Sequence, residues 1–594
     1  MQSNHSELNS NIKELINSSE YIFFDIFDTL VTRPFTSPKG IFSFIEYTYK
    51  QTGFYSARID AERLAREINE ETTLDEIYNH IHPIYRKLKN IEKQIEIDLC
   101  YKIESSQNIY KYCLQNNKKV FFVSDMYLDE ETILQILNKN NYKATVENLF
   151  LSSQIKYTKR TGSLYDFIIN KLQITSPSCI LMIGDNYDSD VKMPNKKGMK
   201  SFHIKTPKHQ GKYYFSLYDN LPHQSTLSSL LKIISEYESK TSNYWYEIGY
   251  NIAGPIVYSY SRFILNIITD YHKKSPKILF VGRDGYLLNK AFSLLHVKNE
   301  HEYVYAPRTL MSSLKTSDKL SCGNQKDIFQ AGIENLQIFR SYISNFIKKD
   351  DELFVVDSRT ASFSAQRLIQ IATGKTITGI YWEVNAEHEK KTIFPHYEFK
   401  NSNASIKCWP LFEFLITSPE PPVKALSRLS SPIYHYSPYE KTRTKLFAQI
   451  EMGCLDFLRN FVSHFPPDKY PIISYNSIVT LINHFLTHPS KRDIEEFRNA
   501  LIAVDENHTN YTPFLSTKFS PKNFRHYISN LSRCSWRTPL QNIIINVTHP
   551  LQIRTNAIRK TLTISFLPKL NHSIILIKLS LFDFCLEIKI GNSN

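Results

Sequence analysis

Residues 21–31 read YIFFDIFDTLV. Tyr21–Phe27 is an apolar run broken only by Asp25, the pattern of a strand buried on both faces of a parallel sheet. Two similar runs follow, Lys119–Val123 and Ile180–Ile183. Asp129–Lys139 and Ser163–Lys171 between them carry helical periodicity. Strands alternating with helices predict an α/β sheet with a Rossmann-like layout. Residues 40–115 interleave charged and apolar positions (ARIDAERLAREINEE, then DEIYNHIHPIYRKLKNIEKQIEIDL) and read as several amphipathic helices. Arg58, Arg63 and Arg66 lie in this block and read as surface charges of a helix, with substrate ligands as the alternative.

Four segments place polar residues at or near the carboxyl ends of the predicted strands, where open α/β sheets hold their sites. They are FFDIFDTLV with Asp25, Asp28 and Thr29, FFVSDMYL with Ser124 and Asp125, KRTGSLY with Lys159, and LMIGDNYDSD with Asp185 and Asp190. The order is D-x-x-x-T, a strand-end Ser, a Lys followed six residues on by an aromatic, and G-D-x-x-x-x-D. It resembles the haloacid dehalogenase (HAD) superfamily over about residues 20–205. A carboxylate that attacks an anionic phosphoryl group meets like charge, which a divalent cation and a lysine neutralise while a hydroxyl holds a non-bridging oxygen.

The resemblance implies a residue-by-residue assignment. Asp25 is the nucleophile, and Ser124 and Lys159 hold the phosphoryl group. Mg²⁺ sits on Asp25, the backbone carbonyl of Phe27, Asp185 and Asp190; hard oxygen donors suit it better than zinc. Phosphatases of the superfamily usually place a second Asp two residues after the nucleophile as general acid/base. Phe27 occupies that position here, so Asp28 is the candidate substitute proton carrier. Dehalogenases also carry an aromatic there, but they need no metal, and the paired acids Asp185 and Asp190 favour phosphomonoester hydrolysis. The helical block 40–115 falls where the family inserts a cap over the substrate. A HAD-like domain kept for structure alone is the rival reading.

The expected organisation is a HAD-like domain at 1–205, a linker at 206–239, a second α/β module at 240–430, and a helical then basic region at 431–594. In the second module KILFVGRDGYLL sets Arg283 and Asp284 just past a strand, with Gly282 and Gly285 allowing a tight turn. YVYAPRTL contributes Arg308, and ELFVVDSRTASFSAQRL puts Asp357 at a strand end before Ser358, Arg359, Thr360, Ser362 and Ser364. A strand, an acid, a hydroxyl-rich loop and a helix start can seat a phosphate on backbone N–H groups. Asp357 also reads as a simple helix cap or turn residue. The GRDG loop, Tyr305 to Arg308, the VVD strand end and Pro410–Pro419, downstream of a HAD-like domain, resemble dual-domain ribofuranosyltransferases of bacterial surface-polysaccharide clusters.

That resemblance implies transfer of phosphoribose from 5-phosphoribosyl diphosphate (PRPP) to a glycan acceptor, lipid-linked or free, followed by removal of the 5-phosphate. Arg283, Arg308 and Arg359 would clamp phosphates, Thr360 and Ser362 would line the loop, and Asp284, Asp357 or Glu413 would take the acceptor proton. For each arginine a structural ion pair is the plain alternative. The rivals for the whole chain are a HAD phosphatase on a small metabolite with a partner-binding carboxyl half, and a non-catalytic adaptor.

The 594 residues exceed one core and suit about three domains. A 42% apolar fraction excludes a mainly disordered chain, and 16 glycines exclude collagen-like sequence. No internal repeat occurs. The opening MQSNHSELNS lacks the pattern of a signal peptide, and the best apolar stretch, Ile574–Leu586, is interrupted by Lys578 and Asp583. Eight cysteines contain no C-x-x-C pair, which suits a reducing cytoplasm. The net charge is +14, and +9 of it lies from His508 onward. Such a tail suits an anionic partner, with peripheral membrane contact ahead of nucleic acid because no nucleic-acid signature accompanies it; a solvated basic surface is the bland alternative.

Overall fold

The computed structural model describes residues 10–69, 71–204, 225–236, 243–271, 276–307, 310, 325–360, 362–384, 394–498, 500–503, 511–514, 551–556, 561–566, 575–581 and 584–590. Two compact units are present: residues 1–240 with 459–473, and residues 241–458 with 474–594.

The first unit is built on a five-stranded parallel sheet: β1 (Tyr21–Phe24), β2 (Lys119–Ser124), β3 (Leu149–Leu151), β4 (Ile180–Gly184) and β5 (Lys200–His203), in the order β3-β2-β1-β4-β5. β1 is the middle strand, in parallel register with β2 (Phe24 to Phe122) and β4 (Phe24 to Ile183). That position explains its unbroken apolar sequence, since Ile22, Phe23 and Phe24 are all fully buried. Phe23, Val123, Phe150 and Met182 pack on Leu164, Tyr165 and Ile168 of the helix Ser163–Lys171. The strand order reverses between β1 and β4, so the crevice at their carboxyl ends is where the topology puts a site.

The block after β1 is helical, with Gly40–Thr48, Phe54–Ile68, Leu74–His80 and Lys89–Leu99 its main elements. Arg58 is not a surface charge. Its side chain is fully buried, with Nη2 2.9 Å from Glu92 Oε1 and its guanidinium 4.5 Å from the Phe42 ring centroid. Tyr78 Oη donates to Glu92 Oε2 at 2.7 Å. The helical pattern hid this because Arg58 lies on the apolar face, where only a buried partner makes the charge tolerable. Arg63 and Arg66 are exposed, as expected, in ion pairs along their own helix.

Two stretches differ from the expected organisation. The expected linker contains the helix Ser225–Glu236, which packs in the first unit; Thr36 N donates to Ser228 Oγ at 2.8 Å. Residues 459–473 also belong to that unit, with Lys469 Nζ 2.5 Å from Asp98 Oδ2.

The second unit carries another five-stranded parallel sheet: β6 (Lys277–Val281), β7 (His301–Val304), β8 (Leu353–Thr360), β9 (Ile377–Val384) and β10 (His396–Glu398), in the order β10-β9-β8-β6-β7. Its order reverses between β6 and β8. Toward the carboxyl terminus, Leu551–Asn556, Thr561–Phe566, Ile575–Leu581 and Phe584–Ile590 are strands of a four-stranded sheet. Among the described residues no helix is long and apolar enough to cross a membrane.

Arg58→Ala leaves Glu92 charged in a closed interior. It should lower the unfolding free energy of the first unit by about 3–5 kcal/mol, whereas Arg63→Ala should change it by less than about 0.5. Urea titration followed by circular dichroism compares the two.

Candidate active site

The loop after β1 keeps the sheet's direction for one more residue, since Asp25 N donates to Ile183 O at 2.9 Å. It then turns sharply: Leu30 N and Val31 N both return to Ile26 O, and Asp28 takes a left-handed φ of 54°. This turn leaves Asp25 buried at the sheet end, with Thr29 Oγ1 donating to its Oδ2 at 3.1 Å. Lys159 Nζ donates to Asp25 Oδ1 at 2.6 Å and to Asp190 Oδ1 at 2.8 Å. Carboxylate oxygens of Asp25, Asp185 and Asp190 lie within 4.8 Å of one another.

Each partner is held by the fold around it. Both carboxylate oxygens of Asp125, one residue past β2, accept the Lys159 backbone N–H at 2.9 and 3.0 Å. Asp190 Oδ2 accepts Asn186 N at 3.1 Å, and its Oδ1 accepts Ser189 Oγ at 3.0 Å. Tyr165 Oη, six residues beyond Lys159, donates to Ser189 O at 2.8 Å and steadies the same turn. Gly184 is required there: a Cβ on it would overlap the Asp190 carboxyl. His203 Nε2 donates to Asp185 O at 2.9 Å. Ser124 is the buried last residue of β2.

The electrostatics call for a further cation. Burial pushes the Asp25 pKa up, Lys159 pulls it down, and Asp190 and Asp185 push it up again, to about 7. Burial opposes the charge on Lys159, but Asp25 and Asp190 outweigh it and raise its pKa well above the usual lysine value. One ammonium is therefore too little to keep the central carboxylate ionised among its neighbours. Three clustered hard oxygen donors beside an incompletely neutralised charge fit a divalent ion such as Mg²⁺.

Residues 157–223 match the family model described as HAD-hydrolase-like. The amino-terminal unit is a HAD-like hydrolase domain. No curated protein matches the chain. Among solved structures the chain is similar to a dehalogenase at 12% identity, covering 34% of this chain and 97% of that one, with a TM-score of 0.25. It is similar to a HAD phosphatase from Thermococcus onnurineus at 13% identity, covering 35% and 99%, with a TM-score of 0.23. A HAD-hydrolase from Bacillus subtilis bound to magnesium is 15% identical, with 34% and 99% covered and a TM-score of 0.21.

Around the HAD-like site, Phe27 and Asp28 point to other partners. The Arg33 guanidinium lies 4.2 Å from the Phe27 ring centroid and is itself held by Glu96 at 2.7 and 2.8 Å. The Asp28 carboxylate accepts from Thr32 Oγ1 at 2.7 Å, with Lys232 Nζ 3.7 Å away. The sequence names Asp125 at its strand end without giving it a role, and marks Tyr165 only as the aromatic six residues after the lysine; Asn186 and His203 carry no signal there.

In the second unit, a cavity of about 200 Å³ opens at the reversal between β6 and β8 and brings together Arg283, Asp284, Asp357 and Glu413. Arg283 takes a left-handed φ of 74°, its N–H donating to Tyr303 Oη at 2.8 Å and its Nε to Thr417 Oγ1 at 3.2 Å. Burial and then the like charge of Arg443 lower its pKa. Gly285 allows the turn, because a Cβ there would meet Val281 O at 2.6 Å. Ser358 Oγ donates to Asp284 Oδ2.

Three expected members of this site stand elsewhere. Arg359 lies over the Trp409 ring at 4.8 Å and 3.9 Å from Glu383, Thr360 Oγ1 accepts Phe363 N at 2.7 Å, and Ser362 is exposed. The reason is that β8 runs on through Thr360, pairing Arg359 with Glu383 and Thr360 with Val384. The expected hydroxyl loop is thus largely strand, and its register takes Arg359 and Thr360 to other partners. Arg308 lies outside the described residues. Sequence reasoning missed Glu420, Glu440 and Arg443, which line the cavity from chain 130 or more residues away from Arg283. Arg443 is fully engaged, donating to Glu440, Ser418 O and Glu420 O at 2.6 Å each.

A proton on Asp25 must leave before the cluster takes up a dication. Below about pH 7, Mg²⁺ affinity should therefore fall by up to about tenfold per pH unit, and Asp190→Asn should weaken it at all pH values. Isothermal titration calorimetry between about pH 5.5 and 8 reads both.

Proposed function

We propose that the HAD-like domain is a phosphomonoester hydrolase working through an aspartyl-phosphate on Asp25. The observation that carries this reading is the shared Lys159 ammonium between Asp25 and Asp190, with Asp185 beside them. Asp25 attacks the phosphorus, a P–O(Asp) bond forms, and the ester P–O bond breaks as the alcohol leaves with a proton. Water then hydrolyses the acyl phosphate and regenerates Asp25. Lys159 neutralises charge at both ends of the step, and the Ser124 hydroxyl donates to a non-bridging oxygen. Asp25, the Phe27 carbonyl, Asp185 and Asp190 would hold a Mg²⁺ ion, which would supply the remaining neutralisation. The three clustered acids favour this over a metal-free dehalogenase.

With Phe27 where a second acid usually stands, proton delivery falls to Asp28 or to water. The leaving group then decides the rate.

We infer further that the second unit transfers a 5-phosphorylated pentose from PRPP to a hydroxyl of a glycan acceptor, the C1–O bond to diphosphate breaking as diphosphate leaves, and that the HAD-like domain removes the 5-phosphate of the transferred pentose. The supporting features are the cavity at the strand-order reversal and the left-handed backbone of Arg283 within it, since such strain concentrates at ligand sites. In this reading Arg283 grips phosphate, and Asp284, Asp357 or Glu413 accepts the acceptor proton. The enzyme is cytoplasmic and works beside the membrane. The alternative is a phosphatase for a small metabolite whose carboxyl half only binds a partner.

Asp25→Asn should abolish phosphate release from phosphoribosides. Asp28→Asn should slow alkyl phosphates by about 10²-fold or more while sparing p-nitrophenyl phosphate, whose leaving group needs no proton. Calorimetry of the full chain with PRPP should show binding that Arg283→Ala removes. If PRPP neither binds nor is consumed, the transferase reading falls and the phosphatase reading stands.

A further inference from the structure

The second unit presents a hairpin, Val423–Leu426 paired with Pro432–Tyr434, that ends in an exposed apolar tip. Leu429 in the tip is 88% exposed and Ile433 on the second strand 46%, while Tyr436 and Tyr439, beyond the open end of the hairpin, are 76% and 48% exposed. The tip is rigid. Ser427 N donates to Ser431 O at 2.8 Å, Ser430 N to Ser427 O at 2.9 Å, and Ser431 N to Ser427 Oγ at 3.1 Å, with Ser430 at φ 63°. At its base Leu426 is buried in the core under the sheet.

The exposed charges of the hairpin are both basic: Arg428 in the tip and Lys424 at the register shift, with Lys441 and Lys445 exposed on the helix Pro438–Ser463 that follows. The sole acid in residues 421–445, Glu440, is buried against Arg443 at 2.6 Å.

We propose that this hairpin docks on an anionic lipid bilayer. A preformed tip led by an aliphatic side chain, with tyrosines behind it and lysine and arginine around it, matches the depth profile of a membrane surface: acyl boundary, headgroup level, anionic phosphate. Nucleic acid would use the charge and leave Leu429 and Ile433 in water. A protein partner would have to cover a small convex tip, which offers little of the area that a stable interface buries. Pro422 and Val423, at the open end of the same hairpin, line the cavity described above. The inference does not depend on the phosphatase or transferase readings.

The test is co-sedimentation of the full chain with vesicles of phosphatidylcholine containing about 30 mol% phosphatidylglycerol, against pure phosphatidylcholine. Binding to the anionic vesicles alone is expected. Leu429→Ser with Ile433→Ser should reduce partition by about tenfold or more. Lys424→Glu with Arg428→Glu should do likewise, at about fivefold per neutralised charge. All four positions are exposed, so melting temperatures should match the parent, which separates lost docking from lost fold. Leu429→Trp should gain a blue-shifted emission on the same vesicles that brominated acyl chains quench. Binding that survives in both double variants, as it would if the basic residues beyond His508 did the work, overturns the proposal. So does an absence of vesicle binding, or a Leu429→Trp emission that stays that of water.

Discussion

One ammonium group is shared by two buried carboxylates at the end of a parallel sheet. Lys159 reaches both Asp25 and Asp190, and a third acid, Asp185, stands within ligand distance. Like charges this close are not stable together in a desolvated pocket unless cations outnumber those available from the chain. Much of the local architecture serves that constraint. Asp125 anchors the backbone of Lys159, Asn186 and Ser189 direct the oxygens of Asp190, Tyr165 ties down their turn, and Gly184 leaves room for the carboxyl. The site is a charge balance short of one cation, and its clustered oxygen donors fit a divalent ion.

The helical block beside it shows the opposite solution to the same problem. Arg58 with Glu92, and Arg33 with Glu96, are pairs closed on themselves, with Tyr78 and aromatic faces completing their environments. Nothing there is left to attract an ion. Arg33 also covers the ring of Phe27. The two arrangements differ in count, three acids to one base at the site and near balance in the helices, and that difference separates a reactive cluster from a structural one.

The second unit repeats the placement rule on a different sheet. Its strand order reverses between β6 and β8, and Arg283, Asp284 and Asp357 gather at that point for the reason that Asp25 and Asp185 gather between β1 and β4. Its cavity is richer in acids than in free bases, since Arg443 is spent on Glu440 and two carbonyls. Arg283 stands among these acids with a left-handed backbone, its pKa lowered by burial and by Arg443.

Strand identity, the α/β class, and the residues that stand just past strand ends were legible in the sequence, because a doubly buried strand must be apolar and its first polar residue marks where the core stops. That reading reached Asp25, Ser124, Asp185, Asp190, Arg283, Asp284 and Asp357. Strand length was not legible: β8 continues through Arg359 and Thr360 because β9 offers a matching partner edge, and local composition looked like a loop. Burial of Arg58, the engagement of Asp28 by Thr32 and Lys232, and the arrival of Glu420, Glu440 and Arg443 at one cavity were decided by tertiary structure alone. Their cause is physical. A charge is tolerated in the interior only by a partner that the chain brings from far away, and nothing in the neighbouring residues of a sequence records which partner that will be.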